Sequence, residues 1–173
     1  MRVIANNSPL RYLLLLDCIS LLPALFVRVM IPTEVQAELQ HHRTPGMVRA
    51  WIAHPPAWLE IRPVSGTVDA DLLHLDGGEQ AAIRLAQRVS ADVVLLDDRK
   101  ARDAATRRAL RVMGTIGILE QAAIRGLLDL PAVCARLRTT NFRIHDSILE
   151  SALARDAARK AAAQEPPPAP EHP

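Results

Sequence analysis

Short apolar runs alternate with amphipathic stretches along most of this chain. The first run, residues 2–5 (RVIA), has the character of a short strand, and Asn7, Ser8 and Pro9 follow it. A polar cap and then a proline, whose fixed φ suits a first helical turn, signal a helix start. A leucine-rich helix is therefore expected over about 9–16. Residues 26–31 (FVRVMI) carry β-branched side chains and stop at Pro32, which reads as a strand, with a helix over 32–40 behind it. A short strand candidate lies within 59–64. Gly77-Gly78 breaks the chain, and 79–89 (EQAAIRLAQRV) has helical spacing with Ile83, Leu85 and Ala86 on one side. Residues 92–96 (DVVLL) are apolar without alternation, the pattern of a strand buried on both faces. A polar, Arg-rich helix over 98–110, a brief strand at 111–113, a turn at 114–117 and helices over 118–125, 130–138 and 146–162 complete the series. Strands alternating with helices predict an α/β fold, a parallel sheet with helices on both faces.

At 173 residues the chain is long enough for one domain with a real core, expected over 1–163. The closing run AAAQEPPPAPEHP clusters prolines that lack amide donors, so 164–173 is expected to be a disordered Pro-rich tail. Hydrophobic residues make up 49% but aromatics only 3%, so the core is aliphatic, and modules that stack bases on exposed aromatic platforms are disfavoured. The apolar stretch 13–29 is interrupted by Asp17 and Pro23, lacks a basic segment before it and is too short to span a bilayer, so no membrane association is expected. Its leucine excess over 13–26 fits either core or a homodimer interface. Two cysteines exclude a disulfide framework and fit a reducing cytoplasm. The net charge of +2 is too small for a protein that coats nucleic acid through bulk charge and leaves only local patches.

In sheets of this kind ligands bind beyond the carboxyl ends of the strands, where strand order reverses. Three of those ends are polar: Asn6, Asn7 and Ser8; Asp97, Asp98 and Arg99; Gly114 and Thr115. Paired carboxylates at a buried strand end raise each other's pKa unless a cation or donors compensate. Asp98 equally suits a helix cap, as do Asp76 and Glu79 around Gly77-Gly78. Glu34 and Glu38 share a helix face at i, i+4, usually a solvated arrangement. Carboxylates without clustered His or Cys suit Mg²⁺ or Mn²⁺ rather than zinc. The Rossmann, P-loop and serine-hydrolase signatures are all absent. From Arg99 to Arg111 the basic residues are Arg99, Lys100, Arg102, Arg107, Arg108 and Arg111 against Asp103. Positive charge for a phosphate backbone beside acids for metal is the electrostatic form of a nuclease; a solvated face, or pairing of Arg99 and Arg102 with Asp98 and Asp103, is the plainer alternative.

The segments NNSPL (6–10), IPTEVQAEL (31–39), LDGGEQAAIRLA (75–86), VVLLDDRKAR (93–102), GTIGILEQA (114–122) and TTNFRI (139–144) together resemble the PIN-domain proteins, specifically the bacterial and archaeal group related to VapC-type toxins. The resemblance implies a three-layer α/β/α sandwich with a short parallel sheet. It implies an acidic cluster holding Mg²⁺ or Mn²⁺, and metal-dependent endoribonuclease activity. By motif position the family's first acid falls on Asn6, the second on Glu38, the third on Glu79 and the fourth on Asp97 or Asp98. On that reading Glu38, Glu79, Asp97 and Asp98 are catalytic metal ligands with Asn6 as a neutral one, and Ser8, Arg99, Arg102 and Thr115 meet the substrate. The implied partners are RNA, a cognate antitoxin protein and a second copy of the chain. Asn6 departs from the family's usual Asp, and an amide brings no charge to a hard cation. The alternative is therefore a catalytically weak or inactive PIN-like module that binds nucleic acid. A nuclease of DNA flaps is a third option, though the chain has no long insertion to thread DNA.

Overall fold

The computed structural model describes residues 1–164. Five short strands, β1 (Val3–Ala5), β2 (Val29–Pro32), β3 (Leu59–Arg62), β4 (Val93–Leu95) and β5 (Val112–Met113), form one sheet in the order β3-β2-β1-β4-β5. Every pairing is parallel. From β1 the chain moves outward through β2 to β3, then returns to lay β4 on the other side of β1. The order thus reverses between β1 and β4, whose register pairs Ala5 with Leu95.

Helices cover both faces, as all-parallel strands require. One layer holds α1 (Asn7–Leu15), α2 (Leu21–Phe26), α3 (Thr33–Gln40), α4 (Gly46–Ala53), α7 (Thr115–Ile124), α8 (Leu130–Arg138) and α9 (Asp146–Gln164), packed around Leu10, Leu13, Leu22, Val35, Ile118 and Leu119. The other holds α5 (Gly77–Arg88) and α6 (Arg99–Arg107) against Ile4, Val94 and Leu96. The α/β architecture with helices on both faces of a short parallel sheet is as the sequence predicts.

Several boundaries differ. The apolar stretch after residue 20 contains α2, and Phe26 belongs to that helix, not to a strand. The chain breaks at Val27, which has φ 66° and ψ −52° and brings the Arg28 N–H to the Phe26 carbonyl at 2.7 Å, a γ-turn that no alternation pattern discloses. The helix α4 and a 3₁₀ turn at Ala70–Leu72 also lacked a signal. Thr115 opens α7, so the expected turn at 114–117 reduces to the Gly114 cap. The last helix runs to Gln164, so that residue is helical; the rest of the expected Pro-rich tail, 165–173, lies outside the described residues.

Leu13, Leu14, Leu16, Leu21, Leu22, Leu25 and Phe26 are all buried in the monomer, so this leucine excess is core. Among the described residues no helix is long and apolar enough to cross a membrane.

Candidate active site

The reversal of strand order opens a cavity of about 870 Å³ above the ends of β1 and β4. Asn6 leaves β1 there, with its N–H bonded to the Leu95 carbonyl at 3.0 Å, so it lies beside the β4 end that carries Asp97 and Asp98. The walls include Asn6, Asn7, Ser8, Glu38, Asp76, Glu79, Asp97, Asp98, Arg99 and Arg102. Six carboxylates (Glu38, Asp76, Glu79, Asp97, Asp98, Asp103) share this one cavity.

Each acid is placed by an element terminus. Glu38 lies in the last turn of α3, where its Oε1 accepts the Gly78 N–H at 2.8 Å and its Oε2 the Asn7 amide N–H at 3.3 Å. Gly78 allows this approach, since a Cβ there would lie 2.5 Å from Glu38 Oε1. Asp76 caps α5 by accepting the Glu79 N–H at 2.8 Å, and Glu79 accepts the Asp76 N–H at 3.2 Å. That is a complete capping box. Asp97 is held by Thr115, which donates its N–H to Oδ1 and its hydroxyl to Oδ2, both at 2.7 Å. Asp98 caps α6 through Oδ1, which accepts the Lys100 N–H at 2.8 Å and the Ala101 N–H at 3.1 Å.

The crowding shows in the protonation energetics. Burial, and then the Asp76 charge, push the Glu79 carboxyl up to about 7. Burial likewise raises Glu38, with Asp76 adding to it and the Gly78 N–H and Asn7 amide opposing it. Asp97 is raised by burial against the pull of the Thr115 donors, the Ser8 hydroxyl and Arg102. The Tyr12 hydroxyl is raised by burial, drawn back by Arg11 and Arg143 and pushed up again by Asp97.

All five positions expected to hold metal, Asn6, Glu38, Glu79, Asp97 and Asp98, face this cavity, as do Ser8, Arg99 and Arg102. Thr115 does not: it is fully buried with both donors on Asp97, because it starts a helix packed under the strand end. The expected contact between Thr115 and substrate is replaced by a hold on Asp97. Arg99 and Arg102 do not pair with Asp98 or Asp103; instead Arg108 takes the structural ion pairs, to Asp69 at 3.0 Å and Asp71 at 2.7 Å. Sequence reasoning left Asp76 as a cap only and did not single out Arg11, Tyr12, Asn141 or Arg143, which also line the cavity. For Arg11 a signal existed, since it follows Asn7 by one helical turn.

The donor chemistry of the cavity suits a hard divalent cation. The side-chain oxygens Oδ1 of Asn6 and Oδ1 of Asn7 are buried and accept no hydrogen bond, although a buried acceptor left empty costs free energy. They stand beside carboxyls raised first by burial and then by the charge of Asp76, both of which a cation would offset. Among the described residues no group of three or more Asp, Glu, His or Cys is arranged to enclose a metal ion. The fit therefore rests on mixed amide and carboxylate oxygens rather than on an all-acid cage. A family model described as a PIN domain matches residues 2–157. Comparison with curated proteins finds no match.

Proposed function

The chain belongs to the PIN-domain family, whose members are generally nucleases, and from that premise we propose that it is a metal-dependent endoribonuclease. The observation that carries this reading is the juxtaposition in one cavity of Glu38, Glu79, Asp97 and Asp98 with two acceptor-free amide oxygens, flanked by arginines without ion pairs. Glu38, Glu79, Asp97, Asp98 and the Asn6 amide oxygen are the residues that would hold Mg²⁺ or Mn²⁺. Such an ion, when bound, would supply a water of lowered pKa and would offset charge on the phosphodiester at the transition state. Thr115 orients the Asp97 carboxylate, and Gly78 and Asn7 orient that of Glu38. The proton that Glu79 carries near neutrality has to leave before its carboxylate serves as a ligand. Ser8, Arg99 and Arg102 line the cavity, where on this reading they meet the phosphate backbone.

Purified protein is expected to cut single-stranded RNA with Mn²⁺ and to stop on addition of EDTA. Asp97→Asn is expected to lower the rate at least a hundredfold, on the order of what metal-ligand loss costs when several kcal/mol of charge stabilisation disappear. Undiminished cleavage by Asp97→Asn combined with Asp98→Asn would show that the chemistry lies elsewhere.

Asn6 favours a second reading, a nucleic-acid-binding module without cleavage, because the position brings an oxygen but no charge. RNA binding with no Mn²⁺ heat in calorimetry would select it. The toxin role and its cognate antitoxin belong to the first reading. Induced expression is then expected to arrest growth, and co-expression of the adjacent upstream reading frame to relieve the arrest. Relief by that frame with Asp97→Asn still toxic would separate toxicity from cleavage.

A further inference from the structure

Two further arginines line the cavity without an ion pair among the described residues. Arg11 projects from α1, one turn after Asn7, and lines the cavity. Its Nε–H is buried and has no acceptor, and its guanidinium lies 5.7 Å from the centre of the Tyr12 ring, at the outer limit of a cation–π contact. Arg143 lies in the connection between α8 and α9. Tyr12 fastens that connection over the cavity, donating its hydroxyl to Asn141 Oδ1 at 3.2 Å and meeting the Phe142 ring edge-on at 4.6 Å. Arg143 thereby joins the same wall as Arg11.

Neither guanidinium forms an ion pair among the described residues, although carboxylates crowd the same cavity. Elsewhere arginines do pair: Arg155 with Glu120, Arg159 with Asp156, Arg108 with Asp69 and Asp71. The two free pairs also come from different layers. Arg99 and Arg102 belong to α6, on the layer of α5, whereas Arg11 and Arg143 belong to the layer of α1, α8 and α9. Acids sharing a cavity with arginines from both helix layers suit a polyanion that runs through the cavity more than a single phosphate that ends in it.

We propose that Arg11 and Arg143 form a second phosphate subsite across the cavity from Arg99 and Arg102, taking the backbone phosphate next to the one that is cleaved. The subsite rests on the ribonuclease reading above and deepens it: the substrate must be a single strand presenting at least two consecutive phosphodiesters. Guanidinium is suited to this, since its planar fork takes phosphate oxygens in pairs.

The test is equilibrium binding of a short fluorescein-labelled single-stranded oligoribonucleotide to the full chain in EDTA, followed by anisotropy over a range of salt. Each phosphate contact contributes about 0.7 to the slope of log K against log salt for a single strand. R11Q combined with R143Q is expected to lower the slope by about 0.7, one phosphate, and to weaken binding on the order of tenfold at moderate salt. R99Q combined with R102Q is expected to do the same, and R11K combined with R143K to retain most of the slope. Since neither guanidinium carries an ion pair, the double variant should melt with the wild type. Should it melt earlier, the single variants take its place, each expected to lower the slope by a part of that ~0.7. Wild-type binding with an unchanged slope in R11Q/R143Q overturns the subsite and leaves the nuclease reading standing. A wild-type chain that neither binds this RNA in EDTA nor cuts it with Mn²⁺ overturns both.

Discussion

On the proposed reading, Asn6 sets how much charge this site offers a cation. Its position is dictated by the backbone: it follows β1, its N–H bonds the Leu95 carbonyl, it is only 4% exposed, and it lines the cavity. The orphaned Oδ1 of Asn6 and of Asn7 marks the spot where a positive charge or a donor is missing. Asn6→Asp adds a carboxylate where carboxyls are already driven toward protonation. It is expected to lower the melting temperature in EDTA, by raising the repulsion felt at Glu79 and Asp97. It is also expected to tighten Mn²⁺ binding on the order of tenfold, since hard-cation affinity follows ligand charge. Calorimetry and melting curves with and without Mn²⁺ read both effects. Equal Mn²⁺ affinity in the two proteins would place the cation away from this residue. Asp97 and Asp98 were legible because strand-end positions follow from hydrophobic pattern and the switch-point rule, whereas Glu38 and Glu79, on helices, entered only through the family resemblance. Thr115 was not, because whether a residue after a strand faces the cavity or the underlying core depends on where the next helix starts.

At the scale of elements, the site is a meeting of termini. The start of α5 brings Gly78 and Glu79 against the end of α3, and the start of α7 brings Thr115 against the end of β4. Gly78 carries the tightest of these approaches. A methyl at Gly78 would sit 2.5–2.8 Å from the Glu38 carboxylate, so Gly78→Ala must push that side chain away and weaken its N–H contact. Displacement by about 1 Å costs on the order of a hundredfold in rate, whereas alanine is the better helix former by about 1 kcal/mol. Gly78→Ala is therefore expected to lose cleavage with little loss of thermal stability, read from turnover and melting on the same preparation. A large fall in melting temperature together with retained turnover would contradict this account. The Gly-Gly pair was visible as a chain break, but its role was not, because the partner carboxylate is 40 residues away in sequence.

The whole molecule registers the site through its stability against pH. Glu79, Glu38 and Asp97 all have folded-state pKa values raised above their ordinary ones, so the native state binds more protons than the unfolded chain. Their contribution is full below the ordinary carboxylate range and is lost as pH rises through the folded values. For Glu79, from 4.5 to about 7, the loss amounts to about 3 kcal/mol. Asp71, Asp129 and Asp156 are lowered by their basic partners and act in the opposite sense, losing stability as pH falls below the window that Glu79 defines. The metal-free protein is thus expected to lose stability between pH 5 and 7, Glu79→Gln to flatten that fall, and Mn²⁺ to restore stability most strongly near pH 8. Denaturant titrations across pH measure it. Wild type and Glu79→Gln falling in parallel would remove Glu79 as the cause.

The α/β class, the strands, most of the helices, the aliphatic core and the strand end bearing Asp97 and Asp98 were determined by sequence, since each follows from local periodicity, caps and turn residues, while α4 carried no such signal. Val27 and α2 escaped because a γ-turn has no periodic signature and because the leucine-rich stretch fits a helix, a strand or an interface equally well. Tertiary structure alone decided that those leucines are core, that Arg108 is spent on Asp69 and Asp71 while Arg99 and Arg102 stay free, and that Tyr12 draws Asn141 and Phe142 across the cavity. The small net charge of +2 conceals six acids and four arginines lining one cavity, a distribution no sum over the sequence contains. The physical reason is the same in each case: pattern reports which residues are apolar or charged, but burial, pairing and protonation depend on distances between residues far apart in the chain.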